Sequence, residues 1–167
     1  GIAGCSAMLL TRCLTINSAL SAISPSVYFI VAASLALGLG LQVTGATQYL
    51  TELFLFATQS ASPPIVLSAL MLLLAFLTNV VSNNAAAVIG TPIGIGIAQA
   101  LGLPAEPFVL AVLFGANMSY ATPMAYKTNL IIMSAGNYTF REFVKVGVPL
   151  TLIMWLTLSS VLTFMYL

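Results

Sequence analysis

Charged residues are scarce in this chain of 167 amino acids. Only 4% of its residues are charged, and it contains no histidine. A soluble domain carries charge at about a quarter of its positions, so water is not the solvent for most of this protein's surface. The lack of histidine excludes histidine-based catalysis and histidine–metal sites. A net charge of +1 excludes binding of nucleic acid through a basic surface.

Cysteine and acidic residues are also few. Cys5 and Cys13 lie on one apolar segment, about 12 Å apart along a helix axis, which is beyond the reach of a disulfide. No acidic residue stands near Ser82, and no carboxylates are paired. An enzyme using a serine nucleophile needs an adjacent base. We therefore expect a protein that is not an enzyme and has no organic cofactor.

Apolar residues dominate the chain instead. They make up 60% of it, and the mean hydropathy is +1.12. Such values are typical of a multi-pass helical membrane protein. The composition thus predicts an all-α polytopic fold surrounded by a lipid bilayer. The chain opens at Gly1 within an apolar run, so we expect it to be a piece of a longer protein.

Helix-breaking residues divide the chain into two predicted parts. Residues 1–62 contain the end of one span, one full span, and an amphipathic stretch that suits the membrane interface. Residues 63–167 contain three further elements. These are an apolar helical hairpin, an interrupted helix and a last span, expected at 64–101, 107–136 and 142–167. The hairpin is expected to be re-entrant, but two thin full spans fit the same residues.

Polar residues interrupt this hairpin at its tip, between Thr78 and Asn84. Polar, irregular backbone persists at membrane depth only where it is buried in protein or lines a wet cavity. Free carbonyl groups at the end of the first helix, with an asparagine oxygen, are hard ligands suited to sodium. The N–H groups that begin the second helix attract an anion. The alternative is that Ser82 and Asn84 only cap this helix.

A second interruption follows between Asn117 and Pro123. Pro123 cannot donate to the helix ladder, and it disfavours helical geometry at Thr122. Carbonyl groups between Asn117 and Ala121 are then free, as at the first interruption. A simple proline kink is the alternative, because such kinks are common in membrane helices.

Lys127 is the cation that the sequence places within an apolar unit instead of a loop. An ionisable residue inside the membrane is a functional candidate by default. Lys127 can attract an anionic substrate, or its charge can replace that of a bound cation. Alternatively, its ammonium group reaches the membrane interface along its flexible stem.

The two interruptions together resemble a known family. Thr78–Asn84 with the three alanines that follow, and the later segment Ala121–Leu130, are similar to signatures of the divalent anion–sodium symporter family. More narrowly, the chain resembles bacterial citrate-transporter-like permeases over essentially its whole length, as the C-terminal one of two inverted repeats. The resemblance implies a homodimeric elevator transporter in the bacterial inner membrane. In it, residues 1–62 form a scaffold with an arm helix at 46–62, residues 63–167 move, and the N-terminal repeat supplies the other half.

The resemblance also assigns roles to individual residues. It implies that Asn83 binds sodium with Thr78 and with carbonyl groups near Val81 and Ala121. Asn84 stands where the signature has threonine, and Met124 replaces the second proline of the dicarboxylate branch. These departures favour the branch associated with sulfate or citrate. The implied substrate contacts are Ser82, Asn83, Asn84, Thr122 and Pro123.

The sequence therefore predicts half of an inverted-repeat elevator transporter, with a re-entrant hairpin and a broken transmembrane helix. Its expected function is secondary active transport of a small di- or trivalent anion (sulfate, a dicarboxylate or citrate) coupled to sodium. An anion channel is one alternative, which requires a continuous pore lined by both interruptions. A truncated half-transporter that carries nothing is the other.

Overall fold

The computed structural model describes residues 2–11, 13, 15–21, 25–58 and 61–167. The remaining positions of the predicted scaffold part, including Arg12 and Gln59, lie outside these described residues. Two compact units are distinguished, Gly1–Leu35 and Ala36–Leu167. The second unit contains both interruptions.

Regular structure in the described ranges is entirely helical, which confirms the all-α prediction. The helices are α1 (Ile2–Leu10), α2 (Ile16–Ser21), α3 (Pro25–Val43), α4 (Ala46–Ala57), α5 (Pro63–Thr78), α6 (Asn83–Leu101), α7 (Ala105–Ala116), a 3₁₀ turn (Pro123–Ala125), α8 (Lys127–Ala135) and α9 (Phe140–Tyr166). By length and composition, α6 and α9 are able to cross a membrane, and α5 and α7 are shorter apolar helices.

Local sequence explains where the two hairpin helices begin and end. Pro63 and Pro64 occupy the start of α5, where a missing N–H group costs nothing. Ser82 is the N-cap of α6, because its hydroxyl oxygen accepts a hydrogen bond from a first-turn N–H group. Gly102 ends α6 in the left-handed region, with φ of 67°, which glycine adopts without strain.

Helices α5, α6, α7 and α9 share the core of the second unit. Helix α7 packs against both α5 and α6, and α9 covers α5 and α7. Small residues allow the close approach. A Cβ atom at Gly115 of α7 would lie 2.6 Å from the Met71 carbonyl oxygen of α5. On α6, Gly90, Pro92 and Gly94 are buried, so this glycine-rich helix packs closely on its neighbours.

Helix α4 packs against α6. Thr51 is the buried residue of α4, and a Cβ atom at Gly96 would lie 2.7 Å from its hydroxyl oxygen. The hydroxyl oxygens of Thr47 and Thr51 have no hydrogen-bond partner among the described residues. The role of this segment as an interfacial arm helix stays a prediction.

Helix α9 contacts its neighbours at two positions along its length. The indole N–H group of Trp155 donates to the Ser68 carbonyl oxygen of α5 at 2.8 Å. Nearer the start of α9, buried Gly147 lies directly against the backbone of Tyr120 and Ala121. The second interruption is therefore held against α9.

The helix ends near the interruptions differ from the predicted ones. Asn83 and Asn84 were expected in the polar tip, but they are the first two residues of α6 because Ser82 is its N-cap. Pro123 begins a 3₁₀ turn, and all of residues 117–126 lie outside the α-helices. A simple proline kink is therefore the wrong description of the second interruption. Whether α7 and α8 form one broken membrane helix, and whether α5 and α6 re-enter the membrane, stay predictions.

Candidate functional site

The two interruptions meet in one hydrogen-bonded group of polar side chains. Asn79, at the end of α5, bonds to the backbone of the second interruption at three places. The Thr122 hydroxyl donates to the Asn79 carbonyl oxygen at 2.9 Å. We call this group the polar cluster, and its members are Thr78, Asn79, Asn83, Ser119, Thr122 and Asn129.

At the centre of the polar cluster lies Thr78, whose side chain is fully buried. Its hydroxyl oxygen is 2.7 Å from Asn83 Oδ1 and 2.7 Å from the carbonyl oxygen of Ala116. A hydroxyl group has one proton to donate, so it serves only one of these acceptors at a time. Three oxygens thus share one proton, and such a surplus of lone pairs favours a small cation.

Two of the predicted cation ligands are backbone carbonyl groups. The carbonyl oxygens of Val81 and Ala121 accept no hydrogen bond within the described part of the chain. Both residues are half-buried. Thr78 and Asn83 contact each other directly, and Ala121 joins the same polar cluster through Asn79.

Asn83 points from α6 towards the second interruption. It is half-buried, and its Nδ2 group donates to the Ser119 hydroxyl oxygen at 3.3 Å. With its Oδ1 atom next to Thr78, the side chain bridges both interruptions. Asn83 therefore lies within the polar cluster. The exposed edge of the cluster, which we call the rim, is formed by other residues.

Ser82 and Asn84, the neighbours of Asn83, are exposed. The Ser82 hydroxyl oxygen accepts from the Ala85 N–H group at 3.3 Å, so Ser82 does cap α6, yet its own proton is not donated to any described residue. The Asn84 side chain makes no hydrogen bond to the described residues, so it is not a cap. Together with the unpaired N–H groups of the first helical turn, these side chains offer donors to an anion.

Thr122 and Pro123 differ from the exposed rim residues Ser82 and Asn84, because neither offers a free hydrogen-bond donor. Thr122 uses both of its donors on Asn79, through its N–H group at 3.2 Å and its hydroxyl at 2.9 Å. It therefore has only lone pairs left for a ligand, which suit a cation better than an anion. Pro123 is buried.

Lys127 is the exposed first residue of α8. It makes no hydrogen bond or ion pair with the described residues, so it is not joined to the polar cluster. A cation at a helix N-terminus adds to the positive end of the helix dipole. That placement destabilises α8 slightly but strengthens any attraction for an anion.

Asn79 and Asn129 were given no role in the sequence analysis. The Asn129 Nδ2 group donates to the carbonyl oxygens of Ser119 and Thr122, at 2.8 and 3.3 Å. The sequence does contain one signal for Asn79 and Asn129. A side-chain amide within an apolar segment must find hydrogen-bond partners when it is buried. The identity of those partners depends on how α5 and α7 pack.

The amino-acid sequence is also similar to those of known proteins. Residues 1–167 match the citrate transporter family over their whole length. This chain belongs to the citrate transporter family. The predicted resemblance is thereby confirmed, and the names of the family and of its members indicate transporters, as expected, and not enzymes.

Individual members of the family are similar along nearly the whole chain. An uncharacterized transporter of Synechocystis is 33% identical over 98% of this chain, which corresponds to 27% of the relative. A probable sodium/sulfate cotransporter of Chlamydomonas reinhardtii is 31% identical over 95% of this chain and 18% of the relative. The uncharacterized transporter YfbS of Escherichia coli is 32% identical over 91% of this chain and 25% of the relative.

The chain thus spans about a quarter or less of the length of these relatives. As a member of the citrate transporter family it is a membrane protein.

Proposed function

We propose that this chain is the C-terminal repeat of a secondary active transporter that carries a small di- or trivalent anion together with sodium. Sulfate, a dicarboxylate or citrate is the proposed substrate. The description of the family supports this choice, as do the names of the sodium/sulfate cotransporters of Chlamydomonas reinhardtii.

One observation carries the proposal. At the hairpin tip, surplus oxygen lone pairs lie inside, around Thr78, and free hydrogen-bond donors lie at the rim, on Ser82 and Asn84. A cation binds to oxygen lone pairs, and an anion binds to hydrogen-bond donors. The two kinds of group adjoin at the start of α6, as co-transport of a cation and an anion requires.

We assign the sodium site to Thr78 and Asn83 with the carbonyl groups of Val81 and Ala121. The anion contacts are assigned to the rim residues Ser82 and Asn84, and Asn83, Thr122 and Pro123 complete the proposed anion site. Within the described residues no group of histidine, cysteine or acidic side chains is suited to a transition metal. Neutral oxygens are suited to a monovalent, weakly held coupling ion.

The movement we propose is that of an elevator. Residues 63–167 would carry both interruptions, with 64–101 as a re-entrant hairpin and 107–136 as the broken helix. Residues 1–62 would remain in the scaffold, with α4 in the arm segment 46–62. Helices α5, α6, α7 and α9 share one core, so the polar cluster can travel with them as one body. The N-terminal repeat, a second copy of the protein and the bacterial inner membrane complete the proposed assembly.

Uptake by the full-length protein in liposomes tests the proposal. Labelled sulfate, succinate and citrate are supplied with and without an inward sodium gradient. Wild type should accumulate one of them above its outside concentration only with the gradient, and Asn83→Ala should abolish this. Asn117→Ala is the control, because its Nδ2 group bonds only the Leu113 carbonyl of its own helix. Uptake that merely equilibrates, indifferent to sodium and to Asn83, would indicate a channel and refute symport.

Lys127 is the charge partner that we propose for the anion. Lys127→Gln should raise the half-saturation concentration of the anion by about tenfold or less, the effect of one exposed charge. The value for sodium should not change. If sodium dependence changes instead, Lys127 acts in place of a cation and not on the anion.

A further inference from the structure

We infer that Asn79 is the positioning residue of the transport site, whose carboxamide fixes the direction of the Ala121 carbonyl group. This rests on the proposed function in one respect, the role of that carbonyl as a sodium ligand. Asn79 itself is not a ligand, because its side-chain atoms are fully engaged elsewhere.

The side chain of Asn79 makes four hydrogen bonds. Its Nδ2 group donates to the carbonyl oxygens of Ala75, at 2.7 Å, and Met118, at 3.0 Å. Its Oδ1 atom accepts from the N–H groups of Ala121, at 3.0 Å, and Thr122, at 3.2 Å. One bond returns to α5, and three cross to the second interruption.

These bonds use the full capacity of a carboxamide, two protons and two lone pairs. Aspartate has no proton to donate to the two carbonyl groups at neutral pH. Serine and threonine have a single proton, and glutamine places its amide one carbon further away. Asparagine is therefore the side chain that satisfies all four backbone groups from this position.

These bonds determine the direction of the Ala121 carbonyl group because of the geometry of the peptide unit. The N–H group of Thr122 belongs to the same peptide unit as the carbonyl group of Ala121. In a trans peptide the N–H and C=O bonds point in opposite directions, and no described peptide bond is cis. With the Thr122 N–H group held on Asn79, the Ala121 carbonyl oxygen must point away from Asn79, where it is free to bind a cation.

Asn117 provides a matched control within the same chain. It follows α7 as Asn79 follows α5. Its Nδ2 group bonds the carbonyl oxygen four residues earlier, Leu113, at 2.7 Å, as Asn79 does with Ala75. No bond from its side chain crosses to the other interruption. Asn117→Ala thus removes the local contribution alone.

Amide hydrogen exchange of the full-length protein in nanodiscs tests the geometry without any assumption about transport. In Asn79→Ala, exchange at Ala121 and Thr122 should become at least about tenfold faster, because two accepted bonds are lost. Asn117→Ala should leave both amides as in wild type. Asn79→Asp keeps the accepting oxygen, so it should preserve most of the protection; it also serves if Asn79→Ala fails to assemble.

Uptake measurements then test the role of the carbonyl group. Asn79→Ala should raise the half-saturation concentration of sodium by about tenfold or more, with a smaller change for the anion at saturating sodium. A residue that only stabilises the fold would lower the amount of active protein and leave both values unchanged.

The outcomes separate the two levels of inference. Unchanged exchange in Asn79→Ala, or exchange in Asn79→Asp as fast as in Asn79→Ala, overturns the positioning role. Faster exchange with an unchanged sodium value overturns the link between Ala121 and the cation. A wild type without any sodium dependence refutes the proposed function, and the exchange rates still decide whether Asn79 holds the interruption.

Discussion

Replacement of Gly147 by alanine tests how closely α9 holds the second interruption. A Cβ atom at this position would overlap the Tyr120 carbonyl oxygen and would lie 2.5 Å from the Tyr120 carbonyl carbon and 2.6 Å from Ala121 Cα. All three obstacles are backbone atoms, which cannot rotate away as the end of a side chain can.

The size of the effect follows from these distances. Ordinary van der Waals contact begins at 3.4 Å, so the backbone must retreat by at least about 0.9 Å. It cannot retreat towards Asn79, because the Ala121 N–H group is already at hydrogen-bond distance there. Overpacking of this kind costs about 1–3 kcal/mol. A shift of about 1 Å can lower a process that depends on positioning by about a hundredfold.

We expect Gly147→Ala to reduce thermal stability and, in addition, to raise the half-saturation concentration of sodium by about tenfold or more. Gly90→Ala is the matched control, since it also adds a methyl group to a buried helical glycine. Its obstacles are the side-chain atoms Leu74 Cδ1, at 2.7 Å, and Val112 Cγ1, at 2.9 Å. It should therefore lower the unfolding temperature while leaving the sodium value unchanged.

The reasoning is refuted if Gly147→Ala unfolds at the wild-type temperature and transports with wild-type sodium dependence. In that case α9 does not press on the interruption in the folded protein. Equal effects of Gly147→Ala and Gly90→Ala on the sodium value would show that general loss of packing, and not the position of Ala121, determines sodium binding.

Two further predictions concern the attachment of α9. Trp155→Phe removes the N–H donor that bonds the Ser68 carbonyl, and should reduce the free energy of unfolding by about 1 kcal/mol; an unchanged denaturation midpoint would contradict this. Thr139→Ala removes the capping box that Thr139 forms with Glu142, and should also cost about 1 kcal/mol. Thr157→Ala, which loses only a bond to its own helix, should cost less, and equal losses would argue against the cap.

The positions of both interruptions were predictable because their causes are local. Pro123 blocks helix formation wherever the chain goes, and a run of polar residues stands out within an apolar hairpin. The partners of Asn79 were not predictable in the same way. Its bonds reach Met118, Ala121 and Thr122 only because α5 and α7 pack closely at Gly115. A single sequence does not show such pairings between distant segments.

The three residues Ser82, Asn83 and Asn84 show most clearly what a linear motif leaves open. The sequence analysis assigned all three to the substrate, but Asn83 is half-buried while Asn84 is exposed. Successive residues of an α-helix point about 100° apart, so neighbours at a helix start have different surroundings. In α6 this rotation turns Asn83 towards Thr78 and leaves Asn84 at the rim.

That separation gives a physical basis for coupling within the proposed function. A sodium ion beside Thr78, the last residue of α5, would lie close to an anion at the start of α6. Opposite charges about 4 Å apart attract by about 4 kcal/mol at an effective dielectric constant of about 20. Such coupling must be reciprocal, so the factor by which sodium strengthens anion binding equals the factor by which the anion strengthens sodium binding. Asn79 then matters to both ligands, although it binds neither, because the orientation of Ala121 determines how strongly the cation is held.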